Sequence, residues 1–220
     1  HRKTGGEAFE TYSDGIIAGT AWLFSRDDWD HDLDYLFVDE AGQVPLANVV
    51  AMTRCTKNLV LLGDQMQLEQ PIQGSHPGDA RLSALQYALK DVDNSSEDTI
   101  EFQSVVPDDY GIFLGESRRM HPAVCEFISE SVYEGSLHSH PDCSNQVIDV
   151  PEGNSAGSGI VFQGIEHDGN IQDSEEEVGQ ILEVYSDLIG RQYTDKNGVT
   201  KPLDLSDFLF IAPYNAQVRA

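Results

Sequence analysis

Leu36-Phe37-Val38-Asp39-Glu40 and Leu59-Val60-Leu61-Leu62-Gly63-Asp64-Gln65-Met66-Gln67-Leu68 decide the fold. Each is a short apolar run that stops at Gly or a carboxylate, as a strand buried in a parallel sheet stops at its carboxyl end. Between them, Pro45 suits the first position of a helix, predicted to run to about Arg54. Strand, helix and strand, with about 25 residues from Asp39 to Asp64, predict neighbouring strands of one nucleotide-binding sheet of the α/β class.

The pattern extends outward. Gly15-Ile16-Ile17-Ala18-Gly19-Thr20 reads as a short strand. Leu82, Leu85 and Leu89 have helical spacing, and Asp91 to Asp98 is a loop by composition. Ile112-Phe113-Leu114 restarts the strands, and Pro122 opens a helix with Val124, Phe127, Ile128 and Val132 on one face. Gly153 to Gly159 is a flexible connector, and Ile160-Val161-Phe162 reads as a strand. Ser174 and Glu177 form a capping box ahead of Val178, Ile181, Leu182, Tyr185, Leu188 and Ile189, the clearest amphipathic helix. Asn197-Gly198 predicts a hairpin with a type I′ turn, and Phe208 to Ile211 a final strand.

The 220 residues hold 38 Asp+Glu against 13 Lys+Arg, a formal net charge of −25. That excludes a broad basic surface for nucleic acid, since phosphate neutralisation needs Lys and Arg. A narrow channel built on backbone N–H groups remains open, and the simplest use of the acidity is solubility. No stretch approaches the roughly 20 apolar residues of a membrane span. Three widely spaced cysteines argue against a disulfide framework, so a reducing cytoplasm is the expected location.

The chemistry sits at the strand ends. Paired carboxylates at Asp39-Glu40 suit nucleoside triphosphate hydrolysis: one holds the water shell of Mg²⁺, the other activates the attacking water. Two solvated loop carboxylates are the plainer alternative. Gln67, three residues after Asp64, has an amide able to donate to a phosphate oxygen or to accept from water. Arg118-Arg119, between a strand and a helix, stand out in a chain poor in cations, and a guanidinium fork suits phosphate oxygens. A surface ion pair is the plainer reading of that pair. His138-x-His140-x-x-Cys143 lacks a second pair of zinc ligands and reads better as a polar loop. Cys125 reads as packing.

Four ordered blocks then carry a resemblance: Asp39-Glu40-Ala41-Gly42; Gly63-Asp64-x-x-Gln67-Leu68; Arg119-Met120-His121-Pro122 with Tyr133-Glu134-Gly135-Ser136-Leu137; and Ala212-Pro213-Tyr214-Asn215-Ala216-Gln217. Their order resembles superfamily 1B helicases. The wording Gln67-Leu68-Glu69-Gln70-Pro71, then Gln73-Gly74-Ser75-His76-Pro77, is most similar to a bacterial branch fused to a RecB-like nuclease. The resemblance implies parts of two RecA-like domains, over residues 1–110 and 111–220, with parallel sheets flanked by helices and ATP in the cleft between them. It makes Asp39 and Glu40 motif II, with Asp39 toward Mg²⁺ and Glu40 catalytic. Asp64 and Gln67 fall in motif III, and Arg119 is an arginine finger. Thr20, Pro213 and Tyr214 would lie near nucleic acid. The implied partners are single-stranded DNA or RNA and a RecB-like nuclease, fused or associated, with no membrane.

The sequence also departs from that pattern. It contains no G-x-x-x-x-G-K-[ST], so the phosphate-cradling loop is not among these residues. Arg118 stands where relatives often carry an aromatic that stacks on adenine; a guanidinium plane is able to stack on the base in its place. Gln65 stands where many carry Pro. The expectation is a middle section of an ATP-dependent helicase, inactive by itself. Its rivals are a non-catalytic interaction module on a helicase-like scaffold and a nuclease-helicase whose main output is cleavage.

Overall fold

The structure is a computed structural model and describes residues 12–30, 33–68, 77–91, 100–151 and 157–219. Most of the expected loop from Asp91 to Asp98 lies outside the described residues, as do Gln70, Pro71, Gln73 to His76 and most of the Gly153 to Gly159 connector. The chain divides into two compact units after Ile112.

In the first unit, β1 (Leu36–Val38) pairs in parallel with β2 (Leu59–Leu61), with Leu36 opposite Leu59 and Val38 opposite Leu61. The expected helix joins them. Pro45 sits one position earlier than expected, as the N-cap of Leu46–Met52, and a 3₁₀ turn over Thr53–Cys55 completes the segment. Its buried face, Val49 and Met52, packs with Leu36, Val38, Ala41 and Cys55 into the unit's core. Trp29 closes that core, its ring 5.5 Å from Tyr12 and 6.2 Å from Phe24. Residues 84–88 form a short helix whose N-cap Ser83 makes a complete capping box with Gln86. It leads into an antiparallel pair, Lys90–Asp91 with Glu101–Phe102.

The second unit opens with another parallel pair, β3 (Glu116–Ser117) and β4 (His138–Ser139), joined by the helix α1 (Pro122–Val132). Pro122 takes the first helical position as expected. Both units are therefore strand–helix–strand constructions, and the chain is α/β. A three-stranded antiparallel sheet, β5 (Val147–Ile148), β6 (Gln192–Thr194) and β7 (Thr200–Pro202), adds to the second unit. The long helix α2 (Glu175–Leu188) starts at Ser174, whose hydroxyl accepts from the Glu177 N–H.

Several expected elements differ. Gly15 to Thr20, Ile112 to Leu114, Ile160 to Phe162 and Phe208 to Ile211 are not in ladders; the strand expected at Ile112 lies at β3. Apolar runs specify an extended chain, but a ladder also needs a neighbouring strand, and none of the described residues supplies one. The N-terminus of α2 is also built differently. The Ser174 N–H, which a capping box would give to Glu177, donates to Gln217 Oε1 at 2.6 Å. The hairpin forms, but its turn is not type I′. Gly198 donates to the Asp195 carbonyl at 3.0 Å and Asp195 to that of Val199 at 2.9 Å, while only Gly198 has positive φ. A type I′ turn needs two such residues; this is a type I turn closed by a glycine bulge.

Candidate functional site

The β1 and β2 ends are interlocked. Leu62 N–H donates to the Val38 carbonyl at 2.9 Å, and Ala41 N–H donates to that of Leu62 at 2.8 Å. Two glycines make the approach possible. A Cβ on Gly63 would stand 2.7 Å from Ala41 N, and one on Gly42 would meet the Asp64 carbonyl. Gly63 also has φ +152°. Asp-Glu-Ala-Gly and Gly-Asp are thus two halves of one contact.

Asp39 and Glu40 occupy the turn leaving β1, and both are exposed. Asp39 Oδ1 accepts the Glu40 N–H at 3.0 Å. Glu40 has φ +52°, a left-handed backbone that non-glycine residues adopt at a cost of about 1–2 kcal/mol. Such positions concentrate where a side chain must be aimed. Across the interlock, Asp64 Oδ1 accepts from Met66 N at 2.9 Å, and Oδ2 accepts from Gln67 Nε2 at 3.0 Å. The Gln67 amide is therefore held with its oxygen available as an acceptor. Gln65 is buried and faces away: its Nε2 donates to the carbonyls of Gln103 and, at 3.1 Å, Ser104. A proline there would leave both acceptors without this donor.

Thr20 precedes the helix Ala21–Phe24 without a side-chain capping bond. It lines an open cavity of about 710 Å³ together with Asp39, Ile17, Val38 and Met52. Thr20 and Asp39 therefore line one cavity of the first unit.

Arg118 and Arg119 occupy the turn from β3 into α1. Arg118 is paired with Glu116, with Nε and Nη2 both 3.1 Å from Oε1. Arg119 is exposed, and among the described residues no carboxylate lies within ion-pair distance of it. The turn ends on His121, whose Nδ1 accepts the Ala123 N–H at 3.2 Å. His140-Pro141 repeats this device, with Nδ1 accepting from Asp142 N at 3.2 Å. His140 therefore caps the 3₁₀ turn Pro141–Asn145. The pairs His121-Pro122 and His140-Pro141 are the sequence signal for these caps.

Cys143 is buried with its Sγ 4.0 Å from the Ser117 carbonyl, and Cys125 Sγ lies 3.9 Å from that of Leu137. Burial, with a smaller contribution from Cys143, pushes the Cys125 thiol above its ordinary range. That removes thiolate character and leaves packing as its role. Pro213 and Tyr214 are exposed ahead of a short helix, Asn215–Arg219. Gln217, on that helix, donates to the Ser174 carbonyl and to Glu177 Oε2, both at 3.2 Å. Its observed work is structural: it joins the last helix to the start of α2.

Among the described residues no helix is long and apolar enough to cross a membrane. Comparison with curated proteins and with solved structures gives no match. A family model described as an AAA domain matches residues 97–220. The match takes in Arg118, Arg119, Pro213 and Tyr214, while Asp39, Glu40, Asp64 and Gln67 precede it. It spans more than half of the chain and includes the whole second strand–helix–strand unit. The chain therefore belongs to this AAA domain family, a helicase-like family, and carries a helicase-like NTPase scaffold.

Proposed function

We propose that these residues are part of an ATP-driven superfamily 1 helicase that moves along or unwinds single-stranded DNA or RNA in the cytoplasm, in the branch that works with a RecB-like nuclease. Helicase-like AAA proteins generally use ATP and Mg²⁺. The donor set here fits them. Asp39 offers hard oxygen at an exposed strand end, as Mg²⁺ with its retained waters requires, and Gln67 offers an amide held by Asp64. ATP supplies the phosphoanhydride bond, and Mg²⁺ neutralises charge on its phosphates.

In this reading Asp39 holds the metal's water shell. Glu40, aimed by its left-handed backbone, takes a proton from the attacking water. Gln67 accepts from that water or donates to phosphate oxygen. Arg119 supplies positive charge to the transferring group, and Arg118 lays its guanidinium plane on the base. Thr20, Pro213 and Tyr214 contact the nucleic-acid strand. The observation that carries the reading is the interlock of β1 and β2. It delivers Asp39-Glu40 and Asp64-Gln67 to one end of a parallel pair, where α/β proteins bind nucleotides.

The test is turnover in the polypeptide that joins these residues to a phosphate-binding loop. Glu40→Gln is expected to lower nucleic-acid-stimulated hydrolysis by about 10²- to 10⁴-fold while nucleotide binding persists. Asp39→Asn is expected to raise the Mg²⁺ concentration needed for half-maximal rate. Near-normal turnover in Glu40→Gln rejects the assignment.

A further inference from the structure

The turn that carries both arginines is held by its carbonyls. Four consecutive ones each accept from a different donor. The Ser117 carbonyl takes His140 N–H at 2.8 Å, and the Met120 carbonyl takes Ser139 Oγ at 2.7 Å. The Arg119 carbonyl takes the Gln146 side-chain amide at 3.1 Å, with that amide oriented to satisfy its surroundings. The Arg118 carbonyl takes Lys196 Nζ at 3.1 Å. From inside the turn, Ser117 Oγ accepts the N–H groups of Arg119 and Met120, both at 3.4 Å.

Three of those donors lie on β4 or the segment that follows it. Lys196 does not: it comes from the tip of the β6–β7 hairpin, 78 residues along the chain. That tip is built to be stiff. Asp195 Oδ1 accepts Asn197 N–H at 2.8 Å and Val199 N–H at 2.9 Å. The Val199 N–H in particular holds the Asp195 carboxyl below its usual range. The contact with the neighbouring segment is reciprocal, since Asn145 Nδ2 donates to the Lys196 carbonyl at 3.1 Å.

We propose that Lys196 is a positioning residue for Arg119, and that the β6–β7 hairpin is a strut that fixes the backbone from which the guanidinium reaches phosphate. This rests on the reading of Arg119 as the cation that stabilises the transferring group. A flexible arginine must be ordered at each turnover, whereas one on a fixed backbone starts near its working position, and small misplacements of such groups are costly in rate. The Lys196 ammonium also adds charge beside Arg118 without occupying the turn.

Two readouts test the proposal. The first is amide hydrogen exchange in the 220-residue chain. Lys196→Met is expected to speed exchange at Arg119 and Met120 by about 2- to 10-fold, the range carried by one net hydrogen bond. The β6–β7 amides should be unchanged, which shows that the hairpin stays folded, and Lys196→Arg should restore the original rates. The second is turnover in the polypeptide that includes a phosphate-binding loop, where Lys196→Met should lower kcat by about 10-fold with KM for ATP unchanged. Lys201→Met, on the same hairpin but paired with Asp207, is the control and should alter neither. Unchanged exchange in Lys196→Met overturns the strut. Faster exchange with unchanged kcat overturns the positioning role, provided that Arg119→Ala does lower kcat. If Arg119→Ala also leaves kcat unchanged, the arginine reading fails and the positioning role fails with it.

Discussion

Gly42 and Asp64 are in direct backbone contact: a Cβ on Gly42 would stand 2.1 Å from the Asp64 carbonyl oxygen. No rotamer relieves that clash, because the neighbour is main chain. Gly42→Ala is therefore expected to destabilise the first unit by about 3 kcal/mol or more, the upper range of overpacking. Both tryptophans, Trp22 and Trp29, lie in that unit, so urea unfolding followed by tryptophan fluorescence reads it selectively. Gly179, inside α2 with nothing within 4 Å of its added Cβ, is the counterexample. Gly179→Ala should stabilise α2 by about 0.5–1 kcal/mol, read by circular dichroism.

Glu40 sets stability against activity. Its φ of +52° suits glycine, so Glu40→Gly should relieve about 1–2 kcal/mol of backbone strain. It loses about 0.5–1 kcal/mol of that through the freer unfolded chain. A small net gain in urea midpoint, together with loss of turnover, is the expected pair of results. A loss of stability would show that the left-handed turn is held by the carboxylate rather than strained by it.

The start of α2 should respond to both mutation and acid. Ser174→Ala removes the acceptor for Glu177 N–H and is expected to cost about 1 kcal/mol. Gln217→Ala leaves the buried Ser174 without its second tie and should cost a similar amount. Glu176 Oε2 accepts from Ser174 Oγ and from Asn170 Nδ2, both at 2.9 Å. Its carboxyl is held below the ordinary value of 4.5, chiefly by its own backbone N–H and then by Ser174 and Asn170. Because the folded value is the lower one, this contribution is complete above pH 4.5 and fades as pH falls below it. Glu176→Gln should flatten stability against pH in that acid window, measured by urea midpoints from pH 6 down to about 3.

Arg119→Ala is expected to nearly abolish nucleic-acid-stimulated hydrolysis, on the scale of about 10³- to 10⁵-fold for arginine fingers. The loss should fall on kcat rather than on nucleotide affinity, because a contact made mainly in the transition state raises turnover. Steady-state kinetics beside equilibrium nucleotide binding separates the two. A matching loss in affinity would make Arg119 a ground-state binder.

The β1 and β2 strands, the helix between them, α1 and the bounds of α2 were legible because hydrophobic period and proline placement act locally. The strand ends were legible because carboxylates and glycines interrupt apolar runs at Val38 and Leu62. Ladder membership was not legible: Phe208 to Ile211 has the composition of a strand, yet pairing depends on a neighbour far along the chain. The turn at Asp195 to Gly198 was misread because Asn-Gly favours type I′, while the Asp195 carboxylate, by gathering the N–H groups of Asn197 and Val199, selects a longer loop. The Lys196 contact was invisible for the same reason, since it joins residues 78 apart. The roles proposed for Glu40 and Arg119 came from motif order, and the turnover measurements above test them.

The unladdered apolar stretches at Ile160 to Phe162 and Phe208 to Ile211 have a colloidal consequence. Phe162 is 91% exposed and Ile211 83%, and runs of exposed apolar side chains favour association between molecules. What opposes that association is long-range repulsion between copies that each carry a formal charge of −25. Repulsion of this kind reaches only about 10 Å at 0.1 M salt and about 3 Å at 1 M. The second virial coefficient of the chain should therefore fall from positive toward negative as salt is added. Dilute buffer, not high salt, is the medium in which its copies stay apart.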